Sequence, residues 1–479
     1  MLTNYLGDRS FWRVTLRLAI PIALQNLLIS SFSLVDTIMV GQLGDISLSA
    51  VGMASQWTWL LNIAMFGIIS GVSIFTAQYW GIQDFKGIRR VYGIGLLTLL
   101  VMSILFMAVG FTWTSQVMYS FNRDAAVVRE GSAYLRIAVF SYPAMALSGV
   151  FSVILRSTEK VKLPLFVSLI STVLNGVLNY ALIFGALGMP EMKVEGAAVA
   201  TVISAWVGPV IYILASALQK NILIAPLRDM LAIGRKDIRD FFRKAIPVLL
   251  NEVLWGVGTF CFNVLFSNLG YENYAALTIL RTFENIVFAF SIGLCNACCV
   301  MLGKSIGEGK TERAAGDAKR FTFLVPLISI VLGVFIILGR ALMVRLFNLT
   351  GNITPYTVMT AQWLMVVYAI EMPMRMIPYI EIVGIFRSGG DTKRGLLYDM
   401  VCLYGLSLPL TLVAAHVLHL PFIWVFAVAY AAEDILKAVL CIRYMFSYRW
   451  IKPITEQGKL GLQRFLEARA NEDKLIEQN

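Results

Sequence analysis

Twelve stretches of this chain are each apolar enough, and long enough, to cross a lipid bilayer as a helix. They run over about 17–41, 51–79, 91–115, 133–155, 163–187, 197–218, 245–269, 274–303, 321–339, 358–386, 396–418 and 422–446. A bilayer core offers the backbone no water, so segments of this kind fold as helices that satisfy their own N–H and C=O groups. The chain is 58% apolar and only 14% charged over 479 residues. A soluble domain of that size would leave much of that apolar surface in water. The expected fold is therefore an all-α polytopic membrane protein, with tilt or kinks in its longest helices. The first apolar stretch is too long for a cleaved signal and lacks a small-residue cleavage site.

The twelve segments fall into two similar sets. Ala19-Ile20-Pro21 with Leu24 opens the first segment, and Ala245-Ile246-Pro247 with Leu250 opens the seventh, 226 residues later. Without a gap, Leu43-Gly44 then falls on Leu269-Gly270, Ala50 on Ala276, Gly67 on Gly293 and Gly81 on Gly307. The identities are few, but they cluster where apolar segments start and end. A duplicated membrane bundle is the signature of a transporter. Six helices per repeat is an even number, so both halves enter from one side. The domains expected are a six-helix lobe at 1–219, a linker at 220–244, a second six-helix lobe at 245–455 and a polar tail at 456–479. Leu462, Phe465, Leu466 and Arg469 suggest that the tail holds a surface amphipathic helix.

Orientation follows from the basic residues. With the N-terminus inside, 31 of the 40 Lys and Arg lie in inner segments and five lie in outer loops. This bias puts both termini and the linker in the cytoplasm of a plasma-membrane protein. The net charge of +11 reads as topology, and nucleic acid is not an expected partner.

Several local patterns carry less than they suggest. Gly303 to Thr311 resembles a phosphate loop, but it has five residues between its outer glycines and follows a membrane helix. A tight inner turn explains it better. Cys295, Cys298 and Cys299 have no histidine or acid at ligand spacing, so they read as buried apolar side chains. His416 and His419 read as interfacial polar residues. The sequons at Asn348 and Asn352 fall in an outer loop. Neither a nucleophile–base set nor a metal cluster is visible, so an enzyme is not expected, and no cofactor is implied beyond a coupling ion.

An ionised side chain at mid-membrane costs roughly 2.5–3.5 kcal/mol on insertion scales, so each one requires a reason. Three acids have a base on their own helix: Glu371 with Arg375, Glu433 with Lys437, and Glu284 with Arg281. Asp399 lies near Arg394 and the inner interface, where water could solvate it, and Asp434 could face a polar interior. Asp36, Glu252 and Glu381 have no local partner.

Asp36 lies five residues inside Gly41, or about 7.5 Å of helix rise from the outer end. Asn175 and Asn179 share one face in the outer half of the fifth helix, and Thr201 lies one turn into the sixth. One carboxylate, two amides and a hydroxyl therefore occupy similar depth. Oxygen ligands of this kind suit a hard monovalent cation, and a desolvated carboxylate also carries a proton. Helix–helix hydrogen bonding would account for the amides but not for an aspartate with no partner.

Pro21, Leu34-Val35-Asp36-Thr37 and Val40-Gly41, Asn175 with Asn179, Glu195-Gly196-Ala197-Ala198 with Thr201, and Arg387-Ser388 with Asp391-Thr392-Lys393 together resemble the multidrug and toxic compound extrusion (MATE) family. The resemblance spans roughly residues 10–450. It implies a V-shaped MATE-like fold of twelve transmembrane helices in two six-helix repeats, acting as a monomer. It also implies export of small organic compounds, cationic or amphipathic, against entering Na⁺ or H⁺. Asp36, Asn175, Asn179 and Thr201 match the family's first-lobe cation site, with Na⁺ or a proton at Asp36. Some members have a second aspartate where Asn179 stands, and its absence lowers the charge of the site.

The second lobe departs from the better-known members. Trp255 and Met376 stand where those members place acids, and Glu252 and Glu381 lie displaced toward the cytoplasm. These two acids could share a proton or occupy separate solvated positions. With Glu284 they are the candidates for a substrate site or a second proton site. A flippase for a lipid-linked substrate is the alternative of related architecture. It would be expected to line its cleft with several Arg or Lys, whereas the intramembrane charges here are mainly acids.

Overall fold

The computed structural model describes residues 7–347 and 354–477, so the sequon asparagines and most of their outer loop lie outside the described residues. The described chain is almost entirely helical. Its elements are α1 (Arg9–Gly41), α2 (Asp45–Gly81), α3 (Phe85–Thr112), α4 (Thr114–Phe121), α5 (Ala125–Ala138), α6 (Tyr142–Ser157), α7 (Lys162–Phe184) and α8 (Lys193–Gln219). There follow α9 (Leu227–Leu231), α10 (Arg235–Ser267), α11 (Tyr271–Gly307), α12 (Thr311–Phe347), α13 (Pro355–Tyr379), α14 (Thr392–Met400), α15 (Leu408–His416), α16 (Phe422–Phe446) and α17 (Glu456–Glu477).

The 226-residue register is written into these bounds. Shifting α1 by 226 lands on both ends of α10, shifting α2 lands on both ends of α11, and shifting the start of α3 lands on the start of α12. Among the described residues, ten helices are long and apolar enough to cross a membrane, counting α5 and α6 as one span and α14 through α15 as another. The two remaining segments of the expected twelve correspond to α13 and α16, each of 25 residues. Both have the length to span, and both carry internal charges, Glu371 and Arg375 on α13 and Glu433, Asp434 and Lys437 on α16.

Three features were not visible in the apolar pattern. A 3₁₀ turn at Val139–Ser141 separates α5 from α6 just before Pro143, whose missing N–H is tolerated in a first helical turn. Two stretches wind as π-helix, Ile380–Phe386 after α13 and Val401–Ser407 between α14 and α15. A π turn closes i→i+5, so side chains on either side of it no longer follow the 3.6-residue period.

The chain divides into two compact units. The N-terminal unit comprises residues 21–76 and 83–249, and the C-terminal unit comprises 1–20, 77–82 and 250–479. Relative to the lobes expected from the apolar pattern, the units exchange ends. The start of α1 and the end of α2 join the C-terminal unit, and the linker with the start of α10 joins the N-terminal one.

In the N-terminal unit, Gln25 of α1 donates to Ser168 Oγ of α7 at 3.0 Å. A Cβ on Gly196 would stand 2.6 Å from Leu182 O, so α7 and α8 approach more closely there than a larger residue would permit. Their polar faces are thereby brought together. Arg89 reaches Asp229 at 2.6 Å and ties the linker to α3.

In the C-terminal unit, the ends of α2 and α11 touch through two glycines. A Cβ on Gly81 would collide with Lys304 O, and one on Gly307 would collide with Gln78 O. These contacts repeat the 226 register, since 78 pairs with 304 and 81 with 307. Gln78 also donates to Ser388 O at 2.9 Å and accepts from Ile454 N at 2.8 Å. The phosphate-loop-like stretch is the end of α11 followed by a turn with Gly309 at φ +77°, as the inner-turn reading requires. The tail is helical, as its amphipathic pattern suggested. It docks on that turn: Thr455 Oγ1 donates to Gly307 O at 2.7 Å, and Phe465 and Arg469 lie against Tyr448.

Candidate functional site

The first cluster is built by α1, α5, α7 and α8 of the N-terminal unit. Asn179 donates through Nδ2 both to Asp36 Oδ1 and to Asn175 Oδ1, each at 2.7 Å. Asn175 in turn donates to Ser204 Oγ at 3.2 Å. Asn175, Asn179 and Ser204 are all buried. The i,i+4 spacing of the two asparagines on α7 puts both amides on one face, and α1 carries Asp36 to that face.

Asn179 has spent both amide hydrogens. Its Oδ1 is buried and accepts no hydrogen bond among the described residues. A buried acceptor without a donor is costly, by about 1–3 kcal/mol, unless something electropositive meets it. This carbonyl oxygen and the carboxylate of Asp36 are electronegative groups of the cluster, of the kind that can meet a monovalent cation or a proton.

Thr201 sits beside this cluster but spends its hydroxyl on Ala197 O at 3.0 Å. Tyr134 of α5, which is buried, neighbours both Thr201 and Asp36. Sequence reasoning passed over both Tyr134 and Ser204. Ser204 lies three residues after Thr201 on the same helix face, a spacing that could have found it. Tyr134 offered no such signal, because nothing in its own segment distinguishes it from other apolar-flanked tyrosines.

The second-lobe acids make different contacts from those their spacing suggested. Glu252 forms a 2.6 Å ion pair with the buried Arg387. Glu381 is fully buried, accepts from Thr322 Oγ1 at 3.2 Å through Oε1, and has no partner at Oε2 among the described residues. Each acid thus has its own partner, and no contact joins the two. Glu381 lies within the π stretch Ile380–Phe386, and it is buried, not solvated.

The same-helix ion pairs fare unevenly. Glu433 and Lys437 pair at 2.6 Å, as their spacing indicated. Glu284 instead pairs with Arg375 of α13 at 3.1 Å, in place of Arg281. Glu371 has no bond to Arg375, and its Oε2 is buried without a partner among the described residues. Arg375 is long enough to reach across to α11, and it also lies over the Tyr430 ring at 4.5 Å. Asp399 is buried, not solvated near Arg394: it accepts from Asn251 at 2.9 Å and pairs with Lys437 at 3.2 Å. Asp434 lies 3.8 Å from the same ammonium. One lysine therefore serves three carboxylates.

Cys295, Cys298 and Cys299 are buried on α11, in keeping with an apolar role. Among the described residues, no group of His, Cys, Asp and Glu has the makings of a metal site.

A sequence model of the MatE family matches the chain twice, over residues 21–181 and 247–413, with starts again 226 residues apart. The "Probable multidrug resistance protein NorM" of Thermotoga maritima is 23% identical over 447 residues, covering 91% of this chain and 92% of that protein. The "Probable multidrug resistance protein YoeA" of Bacillus subtilis is 23% identical over 461 residues, covering 94% and 97%. Among solved structures, a MATE protein in the bent conformation superposes with a TM-score of 0.81 at 18% identity, covering 98% of this chain and 99% of that one. The eukaryotic MATE transporter AtDTX14 gives 0.78 at 16% identity, covering 95% and 99%. The Vibrio cholerae MATE transporter VcmN in the bent form gives 0.82 at 16%, covering 91% and 97%.

Proposed function

The chain belongs to the MatE family, and from that premise we propose that it is a secondary antiporter of the plasma membrane, exporting small organic compounds in exchange for an entering Na⁺ or H⁺. Its relatives named as probable multidrug resistance proteins support a broad substrate range of cationic and amphipathic compounds. The observation that carries the coupling is at Asp36, a half-buried carboxylate bonded to Asn179, whose own Oδ1 is buried and accepts no hydrogen bond among the described residues.

In this reading the cation or proton binds Asp36 from the outer side. Asn179 orients the carboxylate, Asn175 and Ser204 hold Asn179 in place, and Tyr134 with Thr201 closes the neighbouring side. Binding there favours the conformation that releases substrate outside, and loss of the ion to the cytoplasm resets it. A ligand shifts such an equilibrium only by its difference in affinity for the two states. The residues lie in a region that changes charge when the ion binds, which is where that difference arises.

The driving force is sufficient. One proton crossing about 100 mV gains ~2.3 kcal/mol, and one pH unit adds ~1.4. Together they support export of a neutral compound to roughly 500-fold at one-for-one exchange. A monovalent organic cation exchanged for one proton cancels the electrical part and retains about tenfold.

The deciding experiment is efflux of ethidium from proteoliposomes under an imposed Na⁺ gradient, an imposed pH gradient, or neither. Export driven by one gradient and abolished by Asp36→Asn is expected. Export indifferent to both gradients would remove the antiport reading.

A further inference from the structure

In the N-terminal unit α3 and the start of α10 leave a groove of about 410 Å³ between them. Leu97, Thr98, Val101, Met102 and Leu105 of α3 form one wall and Phe242 of α10 the other. Leu97, Val101 and Leu105 are each half exposed or more, on a helix long and apolar enough to cross a bilayer, so the groove faces lipid. Close packing on α2 explains its position. A Cβ on Gly95 of α3 would collide with Val72 of α2, and one on Gly71 of α2 would stand 2.8 Å from Ala245 Cβ of α10. Both helices are thereby drawn onto α2, and their outer flanks are left to form the groove. Thr98 Oγ1 donates to Ile94 O at 2.7 Å, so the wall offers a ligand no free donor.

Toward the linker, both walls continue into bases. At about 100° per residue, Lys86 and Arg90 fall within about 20° of Leu97 on α3, and Arg235 and Arg239 within about 60° of Phe242 on α10. None of these four side chains holds an ion pair or hydrogen bond among the described residues, and Arg90 Nε is buried without a partner. The acids at this end are engaged or turned away. Asp229 is paired with Arg89 at 2.6 Å, Asp84 accepts from Gly87 N at 2.9 Å, and Asp237 accepts from Gly234 N at 3.0 Å. Asp240 lies about 160° round α10 from Phe242. Over 84–90 and 225–244 nine bases stand against four acids, so this end of the groove is positive. The linker helix α9 docks here as well. A Cβ on Gly93 of α3 would collide with Met230 O, while Leu227 and Leu231 stay exposed, as suits a helix lying at a membrane surface.

We infer that this groove binds an anionic phospholipid, with one acyl chain along Leu97, Val101 and Leu105 against Phe242 and the phosphate held by Arg90 and Arg239. Leu97 to Leu105 covers about 12 Å of helix rise, close to the ~15 Å hydrocarbon depth of one leaflet. Arg239 lies about 4.5 Å of rise from Phe242 and Arg90 about 10 Å from Leu97, both on the linker side. Their stems lie along apolar surface while their heads reach the interface. A guanidinium fork matches a phosphate in two parallel hydrogen bonds. The headgroup decides the class of lipid. A zwitterionic lipid brings an ammonium that four unpartnered bases repel, whereas a phosphatidylglycerol brings only its negative charge. Basic pockets between membrane helices favour such headgroups. The site lies apart from Asp36 and does not depend on the export reading.

The test is competition for radiolabelled dioleoylphosphatidylglycerol bound to the purified full chain in detergent, with no gradient imposed. Unlabelled phosphatidylglycerol is expected to displace the label at about a tenth of the concentration that phosphatidylcholine with the same chains requires. Inorganic phosphate in excess should displace none of it. Arg90→Gln and Arg239→Gln should each cut the preference for the anionic lipid about threefold, and together abolish it. Val101→Trp, which fills the groove, should weaken both lipids alike, by about fivefold or more. Arg449→Gln removes an exposed base of the C-terminal unit and should leave the preference as it is. Equal displacement by the two lipids in the unaltered protein would overturn the inference without any variant having to assemble. Displacement by inorganic phosphate would also overturn it, and so would undiminished lipid binding in Val101→Trp. A preference that survives the double arginine change would do the same. An equal loss in Arg449→Gln would reduce the effect to net charge and remove the site.

Discussion

Asn179 Nδ2 and Asp36 Oδ1 lie 2.7 Å apart, so one neutral amide on α7 fixes the direction of the carboxylate on α1. Asn179 Oδ1 is buried and has no donor among the described residues. Asp36→Asn keeps the shape of the site and removes its charge. The variant should insert and fold normally yet lose gradient-driven efflux in the proteoliposome assay. Full efflux from this variant would leave Asp36 as a structural polar group.

The same bond gives a sharper prediction for Asn179→Asp. It places a second carboxylate within contact of the first, and two such groups are hard to ionise together without a cation between them. Thermal stability of the purified variant should rise more steeply with NaCl, compared with choline chloride, than that of the unaltered protein. Identical salt responses would argue against Na⁺ at this site.

Much of this was legible in sequence, and the reasons are physical. Pro21 and Pro247, Gly81 and Gly307 mark equivalent places in two helices, and the bounds of α1 and α10, and of α2 and α11, follow the same 226-residue shift. Apolar length fixed the spans because a bilayer leaves the backbone few options. The Asp36 cluster was legible because its members sit at similar depth on α1, α7 and α8. The second-lobe pairs were not. Glu284, Arg375, Glu252 and Arg387 find partners on other helices, and same-helix spacing says nothing of such contacts.

Gly81 and Gly307 should prove equally intolerant of a side chain. Each would drive a Cβ into a backbone carbonyl, Lys304 O in one case and Gln78 O in the other, and a backbone cannot move aside as a flexible side chain can. Overpacking typically costs about 1–3 kcal/mol, and a rigid obstacle puts these sites at the upper end. Gly81→Ala and Gly307→Ala should each lower the melting temperature in detergent by a similar amount, as expected of equivalent positions in a duplicated fold. A harmless Gly307→Ala would show that α2 and α11 do not meet in this way.

The pair of Glu252 and Arg387 predicts an asymmetry between single and double changes. Arg387 is only 3% exposed, so Glu252→Gln leaves a buried guanidinium without its carboxylate. Breaking a buried pair from one side costs about 3–5 kcal/mol, whereas replacing both members with apolar residues is often near neutral. Glu252→Gln should therefore reduce stability and membrane abundance strongly, and adding Arg387→Met should restore much of the loss. If the single change leaves stability intact and alters only the export of cationic compounds, Glu252 serves substrate more than structure.

Lys437 should be the least replaceable residue of the α16 network. Its ammonium lies 2.6 Å from Glu433, 3.2 Å from Asp399 and 3.8 Å from Asp434, and all these groups are largely withdrawn from water. Lys437→Met removes the one cation and strands three carboxylates, which places it in the same range of about 3–5 kcal/mol or beyond. Glu433→Gln removes one acid and leaves Lys437 to the other two, so its effect should be clearly smaller. Glu433→Gln relieves like-charge repulsion but gives up the shortest of the three contacts, at 2.6 Å, so a net loss of about 1 kcal/mol is the expected outcome. Urea or thermal unfolding of the two variants in matched detergent gives the ranking. Equal losses would mean that the Glu433 bond, and not the balance of charge around Lys437, holds this part of the C-terminal unit together.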